Sequence, residues 1–379
     1  MDNFRKRLLF IDLGGSMGGV ESYLLSLTNM LSGAAAVYAI CVLPELAAGL
    51  KKNGVMVWQL PRFGGITKPL RFVAAFILIV FLLLRYRIDL LQANGFLETI
   101  FLIPARILGR ETVYTRHGPF EDDLYSWYRS PHKYLPRFLA KTCIRFASHV
   151  VCVSEAVGKA VRTIVPVDRL TVIPNWVPKI PSYSGLPQSA KTEKHILYVG
   201  RLEKYKGLHL LIDAVSQFPE VKLTVVGDGG YRKDLELLAS RMKNVVFAGF
   251  QRNTEPYYAE ADIFVMPSMG PEGLPMVSLE AMAHGLPCLF SDLPVHQEIT
   301  DSGNAGMLFS SGDTEDLRRK LALLIQDAGL RAKYSREGYE IVKKRYNPEI
   351  ARESYIAVFG LGTKSNLRQP EVMEDPIYE

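Results

Sequence analysis

The sequence predicts an α/β protein with two Rossmann-like, doubly wound parallel sheets facing each other across a cleft. Three observations carry this expectation. Strand-length apolar runs alternate with helix-length stretches from Leu8 to Ser154, the pattern of a parallel sheet covered on both faces. A break with four prolines, Pro174 to Lys194, interrupts the alternation, which restarts at His195. Gly, His and Ser-Glu features fall at the carboxyl ends of the strands, where such sheets bind ligands. At 379 residues the chain is long enough for two domains, each with its own core.

In chain order, the front half opens with a strand at Leu8–Leu13, the Gly-rich turn GGSMGGVES and a helix at Glu21–Leu31. A strand at Val37–Leu43, a helix at Pro44–Asn53 and a strand at Val55–Leu60 follow. Phe72–Leu84 is apolar without interruption. Thirteen helical residues span about 20 Å, short of the roughly 30 Å of a bilayer core. The run therefore reads as a buried helix or one lying in a membrane interface, with both of its sides covered. A strand at Ile88–Ala93, a helix at Leu97–Leu108 and a strand at Glu111–Thr115 precede Arg116-His117-Gly118-Pro119. A basic helical region leads to the strand His149–Val153.

The back half repeats the scheme. Strands are expected at His195–Val199, Lys222–Val226, Val245–Ala248, Ile263–Pro267 and Pro287–Ser291. Helices are expected at Gly207–Phe218, Tyr231–Arg241, Tyr257–Ala261, Met276–His284, Asp316–Asp327, Leu330–Tyr346 and Pro348–Phe359. The domains are residues 1–175, a linker at 176–194, and residues 195–345. A closing helix at 346–362 is expected to return to the front domain, and the polar, acidic tail 363–379 reads as disordered.

Residues 1–180 carry 22 Lys and Arg against 12 Asp and Glu, a surplus of ten positive charges, whereas the remainder is four negative. A basic front half suits an anionic partner. It carries no nucleic-acid-binding motif and no basic strand interleaved with aromatics. Cys41, Cys143, Cys152 and Cys288 are scattered without a CxxC pair, which reads as buried free thiols rather than a disulfide framework or zinc site. The start, MDNFRKRLLFIDLGG, reads as a first strand and not as a signal peptide.

Gly200-Arg201-Leu202-x-x-x-Lys206-Gly207 places two cations between a strand end and a helix start. That pattern suits a diphosphate, and equally an exposed basic turn. Pro267-Ser268-Met269-Gly270-Pro271-Glu272-Gly273-Leu274-Pro275 runs into a helix holding Glu280. Carboxylates do not bind a diphosphate but accept hydrogen bonds from sugar hydroxyls. The apolar setting of Glu280 (MVSLEAMA) argues against a merely solvated residue. His195, His209, His284 and His296 read as structural, and Asp12 and Asp89 as turn caps.

Taken jointly, and in order, several segments resemble the family-4 retaining glycosyltransferases of GT-B fold. They are Gly18-Gly19 with Glu21, His117-Gly118, Val153-Ser154-Glu155, Ile173-Pro174-Asn175, Val199-Gly200-Arg201 with Lys206-Gly207, Val226-Gly227-Asp228-Gly229, Ala261-Asp262 through Pro267-Ser268, and the pair Glu272 and Glu280 with Ala281-Met282-Ala283-x-Gly285-Leu286-Pro287. The resemblance covers about residues 8–360. It implies that Arg201 and Lys206 neutralise the leaving diphosphate and that Glu280 holds the nucleotide ribose. Glu272, on the loop Gly273-Leu274-Pro275, would contact the transferred sugar. Gly18 and Gly19 would bring backbone N–H groups near phosphates or acceptor, and His117 would sit by the reacting sugar. Gly229 and the backbone near Phe250–Arg252 would complete the donor site. The family's common Asn-Gly before the linker is Asn175-Trp176 here.

No Asp-x-Asp pair occurs, so no metal or other cofactor is expected; the nucleotide-sugar is a substrate. Arg201 and Lys206 read as alike, each replaceable by Ala without loss of the fold. Arg129, Lys133, Arg137, Lys141 and Arg145 recur every four residues, a basic stripe facing acceptor or membrane. The resulting expectation is a cytoplasmic transferase at the inner face of a membrane. It would move a sugar, most simply UDP-linked, to a lipid-linked or growing glycan acceptor of bacterial surface polysaccharide, such as lipopolysaccharide. The alternatives are a soluble family-4 transferase with a small-molecule acceptor, and a catalytically silent binding subunit.

Overall fold

The computed structural model describes residues 6–15, 17–61, 68–118, 141–185, 194–270 and 272–361, with the side chains of 68–71 excepted. The front half comprises β1 (Arg7–Asp12), α1 (Gly19–Met30), β2 (Ala36–Cys41), α2 (Pro44–Lys52), β3 (Met56–Gln59), α3 (Lys68–Arg85), β4 (Leu90–Ala93), α4 (Leu102–Ile107), β5 (Glu111–Arg116), β6 (His149–Cys152), α5 (Glu155–Val161) and β7 (Leu170–Val172). The back half comprises β8 (Lys194–Val199), α6 (Leu208–Val215), β9 (Val221–Val226), α7 (Arg232–Leu238), β10 (Val245–Gly249), α8 (Glu255–Glu260), β11 (Ile263–Met266), α9 (Met276–Ala283), β12 (Cys288–Ser291), α10 (Pro294–Ile299), β13 (Met307–Phe309), α11 (Thr314–Gln326), α12 (Ala328–Arg345) and α13 (Pro348–Val358).

The strands form two sheets, ordered β3-β2-β1-β4-β5-β6-β7 and β10-β9-β8-β11-β12-β13. Every pairing among them is parallel. Both faces of these sheets are covered, which is why the central strands read as unbroken apolar runs. In each sheet the first strand lies beside both its successor and a later strand, so the order reverses there and opens a crevice at the carboxyl ends.

The expected helix Leu97–Leu108 is divided into a 3₁₀ turn at Leu97–Phe101 and the short α4. Pro104 lacks an N–H and is accommodated only in a first helical turn, so a new helix starts beside it. α5, β7, α10 and β13 had no counterpart in the sequence expectation. β7 and β13 are three-residue edge strands, too short for a period-2 signal. The tail 363–379 and Arg129, Lys133 and Arg137 lie outside the described residues. Lys141 and Arg145 are described, on the segment before β6. All four cysteines are free and buried.

α3 is not buried on all sides, so of its two expected settings the wholly buried one does not hold. Ala75, Ile79, Leu82 and Leu83 are buried, but Val73, Phe76, Ile77, Phe81 and Leu84 are 43–64% exposed. Among the described residues, packing covers one side of this helix more fully than the other. Among the described residues, no helix is long and apolar enough to cross a membrane.

Two glycines fix the back-domain turns. Gly207, at φ +70°, packs so close to the Pro267 carbonyl that a Cβ would collide with it. Gly227, at φ +141°, abuts the Gly200 carbonyl in the same way. Both positions require the conformational freedom of glycine.

α13 ends the described chain on the front domain. Asn347 caps it by accepting the Ile350 N–H at 3.0 Å, with Pro348 in the first turn. Its Ala351, Tyr355 and Phe359 share a core with Tyr23, Leu24 and Leu27 of α1 and with Trp176. The Tyr23 hydroxyl donates to that of Tyr355 at 2.8 Å, and Gln92 Nε2 donates to Tyr23 at 3.1 Å and to Thr115 Oγ1 at 2.8 Å. Removing only the hydroxyl, Tyr355→Phe, should cost about 1 kcal/mol of stability. Tyr355→Ala should cost about 3–5 kcal/mol. Denaturant midpoints of the two variants measure both.

Candidate active site

The donor-side constellation forms where β8, β9 and β11 end. Gly200 follows β8, and the next turn is a 3₁₀ turn, Lys204–Lys206, closed by Gly207 ahead of α6. Arg201 lies at the cleft surface, its backbone carbonyl accepting from the Tyr198 hydroxyl at 3.0 Å. Its Nη2 donates to the Tyr205 hydroxyl at 2.8 Å, which aims the guanidinium without neutralising it. Gly229 sits against the Leu202 backbone, where a Cβ would clash, so the two turns interlock.

Lys206 differs from Arg201. It is buried, and its Nζ donates to both oxygens of Glu272, at 2.7 and 2.8 Å. Ser268 Oγ donates to the same carboxylate at 2.6 Å. Burial pushes the Glu272 carboxyl up, but the Lys206 ammonium and these hydrogen bonds outweigh it and hold the group below its usual range. The two expected site residues are therefore joined across 66 positions of sequence, in an ion pair with side-chain exposures of 10% and 8%.

The loop carrying Glu272 is held by the front domain. Ser154 Oγ donates to the Gly273 carbonyl at 2.8 Å, and Asn175 Nδ2 donates to the Leu274 carbonyl at 2.8 Å. A Cβ on Gly273 would collide with the His117 carbonyl. Nearby, Glu298 of α10 accepts the N–H groups of Glu155 and Ala156 at 3.0 and 3.2 Å. Pro275 leads directly into α9 as its N-cap. Ser154 and Asn175 were visible as motif residues without a role. Their hydrogen bonds come from the approach of the two domains, which local sequence does not encode.

Glu280 lies on α9, one oxygen accepting from the Tyr258 hydroxyl at 2.9 Å, and burial pushes its carboxyl up. Phe250, after β10, is 56% exposed. Arg252 reaches 4.0 Å from Glu45 of the front domain. Contacts thus join Lys206 to Glu272, and Gly229 to the turn that carries Arg201, while Gly273, Leu274 and Pro275 continue the Glu272 loop into α9 and its Glu280.

On the front wall, His117 follows β5. Its ring meets Tyr23 edge-on at 4.5 Å, and its Nε2 is sealed from solvent without a hydrogen-bond partner among the described residues. Burial, with the neighbouring Arg116 charge, pushes it down to about 3, so it is a neutral imidazole at any physiological pH. Gly18 and Gly19 open α1, where the Gly18 backbone N–H favours the Glu21 carboxylate. Trp176, where an Asn-Gly was the usual pattern, is buried and donates Nε1–H to Ser26 at 2.8 Å. His195, His209, His284 and His296 lie on back-domain elements. His195 and His284 bond backbone carbonyls, and the fully buried His296 Nδ1 lies 2.8 Å from the Ser291 carbonyl. Asp12 Oδ1 accepts the Gly14 N–H at 2.8 Å, and Asp89 accepts the Arg7 N–H at 2.8 Å.

Two family models match consecutive halves of the chain: Glycosyltransferase Family 4 over residues 17–179 and Glycosyl transferases group 1 over residues 184–341. The lipopolysaccharide core biosynthesis glycosyltransferase LpsE of Rhizobium meliloti is 33% identical over 164 residues, 42% of this chain and 48% of LpsE. The sulfoquinovosyl transferase SQD2 of Arabidopsis thaliana is 36% identical over 171 residues, 43% of this chain and 31% of SQD2. These matches span half or less of each relative. In fold, the chain is similar to HepE of Anabaena solved with UDP-glucose, with TM-score 0.79 and 23% identity over 93% of this chain and 99% of that one.

Breaking the buried pair from one side leaves an uncompensated charge. Lys206→Ala should therefore cost about 3–5 kcal/mol, contrary to the expectation that Lys206 and Arg201 are alike. Lys206→Met with Glu272→Gln should recover most of that loss, whereas exposed Arg201→Ala should stay within about 0.5 kcal/mol of the parent. Denaturant unfolding measures all three. Because Glu272 is held below its unfolded value, the stability it contributes is present above the ordinary carboxylate range. That contribution should be lost as pH falls through the lowered value.

Proposed function

Since the chain belongs to the glycosyl transferases group 1, with a family-4 glycosyltransferase front domain and the GT-B fold, we propose a retaining hexosyl transfer from a nucleotide-sugar, UDP-linked. The acceptor is a lipid-linked or growing glycan of bacterial surface polysaccharide. The observation that carries this is the sorting of charge on the back wall. Among the described residues Arg201 forms no salt bridge, and at the cleft surface it is able to face a diphosphate bidentately. Glu272 and Glu280 are held deeper, as hydrogen-bond acceptors for hydroxyls of sugar and ribose. In this reading residues 195–345 bind the donor, Phe250 lies against the base, and residues 1–175 bind the acceptor. The linker 176–194 and the closing helix join the two.

Catalysis is then positioning and stabilisation of negative charge on the leaving diphosphate. Arg201, with Lys206 behind it, opposes that charge as the bond to the anomeric carbon breaks. The diphosphate takes the acceptor proton as the acceptor oxygen attacks from the same face. Neutral His117 brings no charge to the site and sits by the reacting sugar. The full set of Arg201, Lys206, Glu272 and Glu280 argues against a silent binding subunit.

The lipid-linked acceptor is supported by α3. Its more exposed side, Val73, Phe76, Ile77, Phe81 and Leu84, ends at Arg85 and Arg87, with Tyr38, Trp58 and Tyr86 clustered beside them. Apolar side chains flanked by aromatics and cations suit peripheral docking on an anionic bilayer at the cytoplasmic face. A small soluble acceptor would leave this face without a use.

Two measurements test the reading. In a panel of UDP-, GDP- and ADP-sugars, the protein should turn over a UDP-sugar, and Arg201→Ala should lower kcat about 100- to 1000-fold. Near-normal turnover by Arg201→Ala would refute the site. In flotation, the protein should rise with anionic liposomes, and Phe76→Ser with Phe81→Ser should abolish that; equal binding to neutral liposomes counts against the membrane contact.

A further inference from the structure

A carboxyl on the front wall has no place in the mechanism so far. Glu21, in the first turn of α1, is 6% exposed. Its charged form is favoured by the backbone N–H groups of Glu21 and Gly18 and by Arg201 across the cleft. Asp12, 4% exposed at the end of β1, lies beside it. Asp12 Oδ2 is sealed from solvent and has no hydrogen-bond partner among the described residues. The two carboxyls converge over Gly14, where a Cβ would lie 2.5 Å from Glu21 Oε1 and 2.9 Å from Asp12 Oδ1. Burial and the Asp12 charge push Glu21 up to about 7.

Two carboxyls this close and this dry are both ionised only at a cost, which a shared proton or a bound hydrogen-bond donor relieves. A diphosphate would be repelled. Among the described residues, no three His, Cys, Asp or Glu side chains stand where they could hold a metal ion. A neutral donor of hydrogen bonds fits, and in a cleft whose opposite wall presents Arg201 that donor is a hydroxyl. We propose that Glu21 accepts the hydrogen bond of an acceptor hydroxyl neighbouring the attacking one, whose own proton goes to the diphosphate, and that Asp12 positions and tunes Glu21, an inference that rests on the transferase reading. Glu21 thereby selects a polyol acceptor and orients its oxygen toward the donor sugar. Gly14 supplies the space the two carboxyls need.

The experiment compares two readouts in the full-length protein. One is donor hydrolysis by the preferred nucleotide-sugar in buffer. The other is transfer of its labelled sugar to a membrane lipid extract. A hydrogen bond to a charged group corresponds to about a 10- to 100-fold effect. Glu21→Gln should lower transfer by that factor while hydrolysis and donor KM stay within about twofold. Asp12→Asn removes a like charge, leaving Arg201 as the charged group acting on Glu21, so the acid limb of transfer should move to lower pH; a packing role would leave that limb in place. Equal transfer by Glu21→Gln and parent, or a parallel fall in both readouts, overturns the assignment. No turnover by the parent protein overturns the transferase reading, and this assignment with it.

Discussion

The Lys206–Glu272 ion pair is the constraint on which the cleft depends. Its lysine belongs to the turn after β8 and its carboxylate to the loop after β11, so the pair ties two strand ends of the back sheet into one surface. The same loop is held from the other side by Ser154, Asn175 and the His117 backbone. One short segment therefore answers to both domains at once. A shift of either domain is transmitted to a buried charge, which tolerates little misalignment. The back wall is rigid because displacing it would expose Glu272 to an uncompensated interior.

Much of the architecture was legible in the sequence because buried parallel strands leave unambiguous apolar runs. Runs such as Leu8–Ile11, Ile196–Val199 and Ile263–Met266 have no solvent face to interrupt them. The three-residue edge strands and α10 escaped because so few residues carry no period. The site was legible as a set of residue types and not as a set of contacts. Arg201 and Lys206 look alike in sequence, and only the fold shows that one is exposed and the other buried on a carboxylate. The apolar run of α3 was plain, but whether the rest of the chain would cover one side or both is a tertiary fact.

The net charge of a domain does not set the charge of its cleft wall. The front half carries the positive surplus, yet its wall offers Glu21, Asp12 and a neutral His117. The back half is net negative, yet its wall pairs Lys206 with Glu272 and leaves Arg201 at the surface. Bulk charge governs encounters with other bodies. The cleft is set by a few buried groups whose ionisation the interior controls.

The return of α13 to the front domain has a consequence for how the protein is made. Tyr355 and Phe359 are core residues of a domain whose other members, from Leu8 to Trp176, precede them by the whole of the second domain. During synthesis the first sheet therefore emerges without its closing helix and must wait for about 170 further residues, roughly ten to thirty seconds at ribosomal rates. Meanwhile Tyr23, Trp176 and the apolar flank of α1 stand uncovered. The second domain, whose strands and helices are contiguous in sequence, can be complete before the first. The front domain thus finishes last although it is made first, and without its closing helix it is the nascent state that chaperones would have most reason to bind.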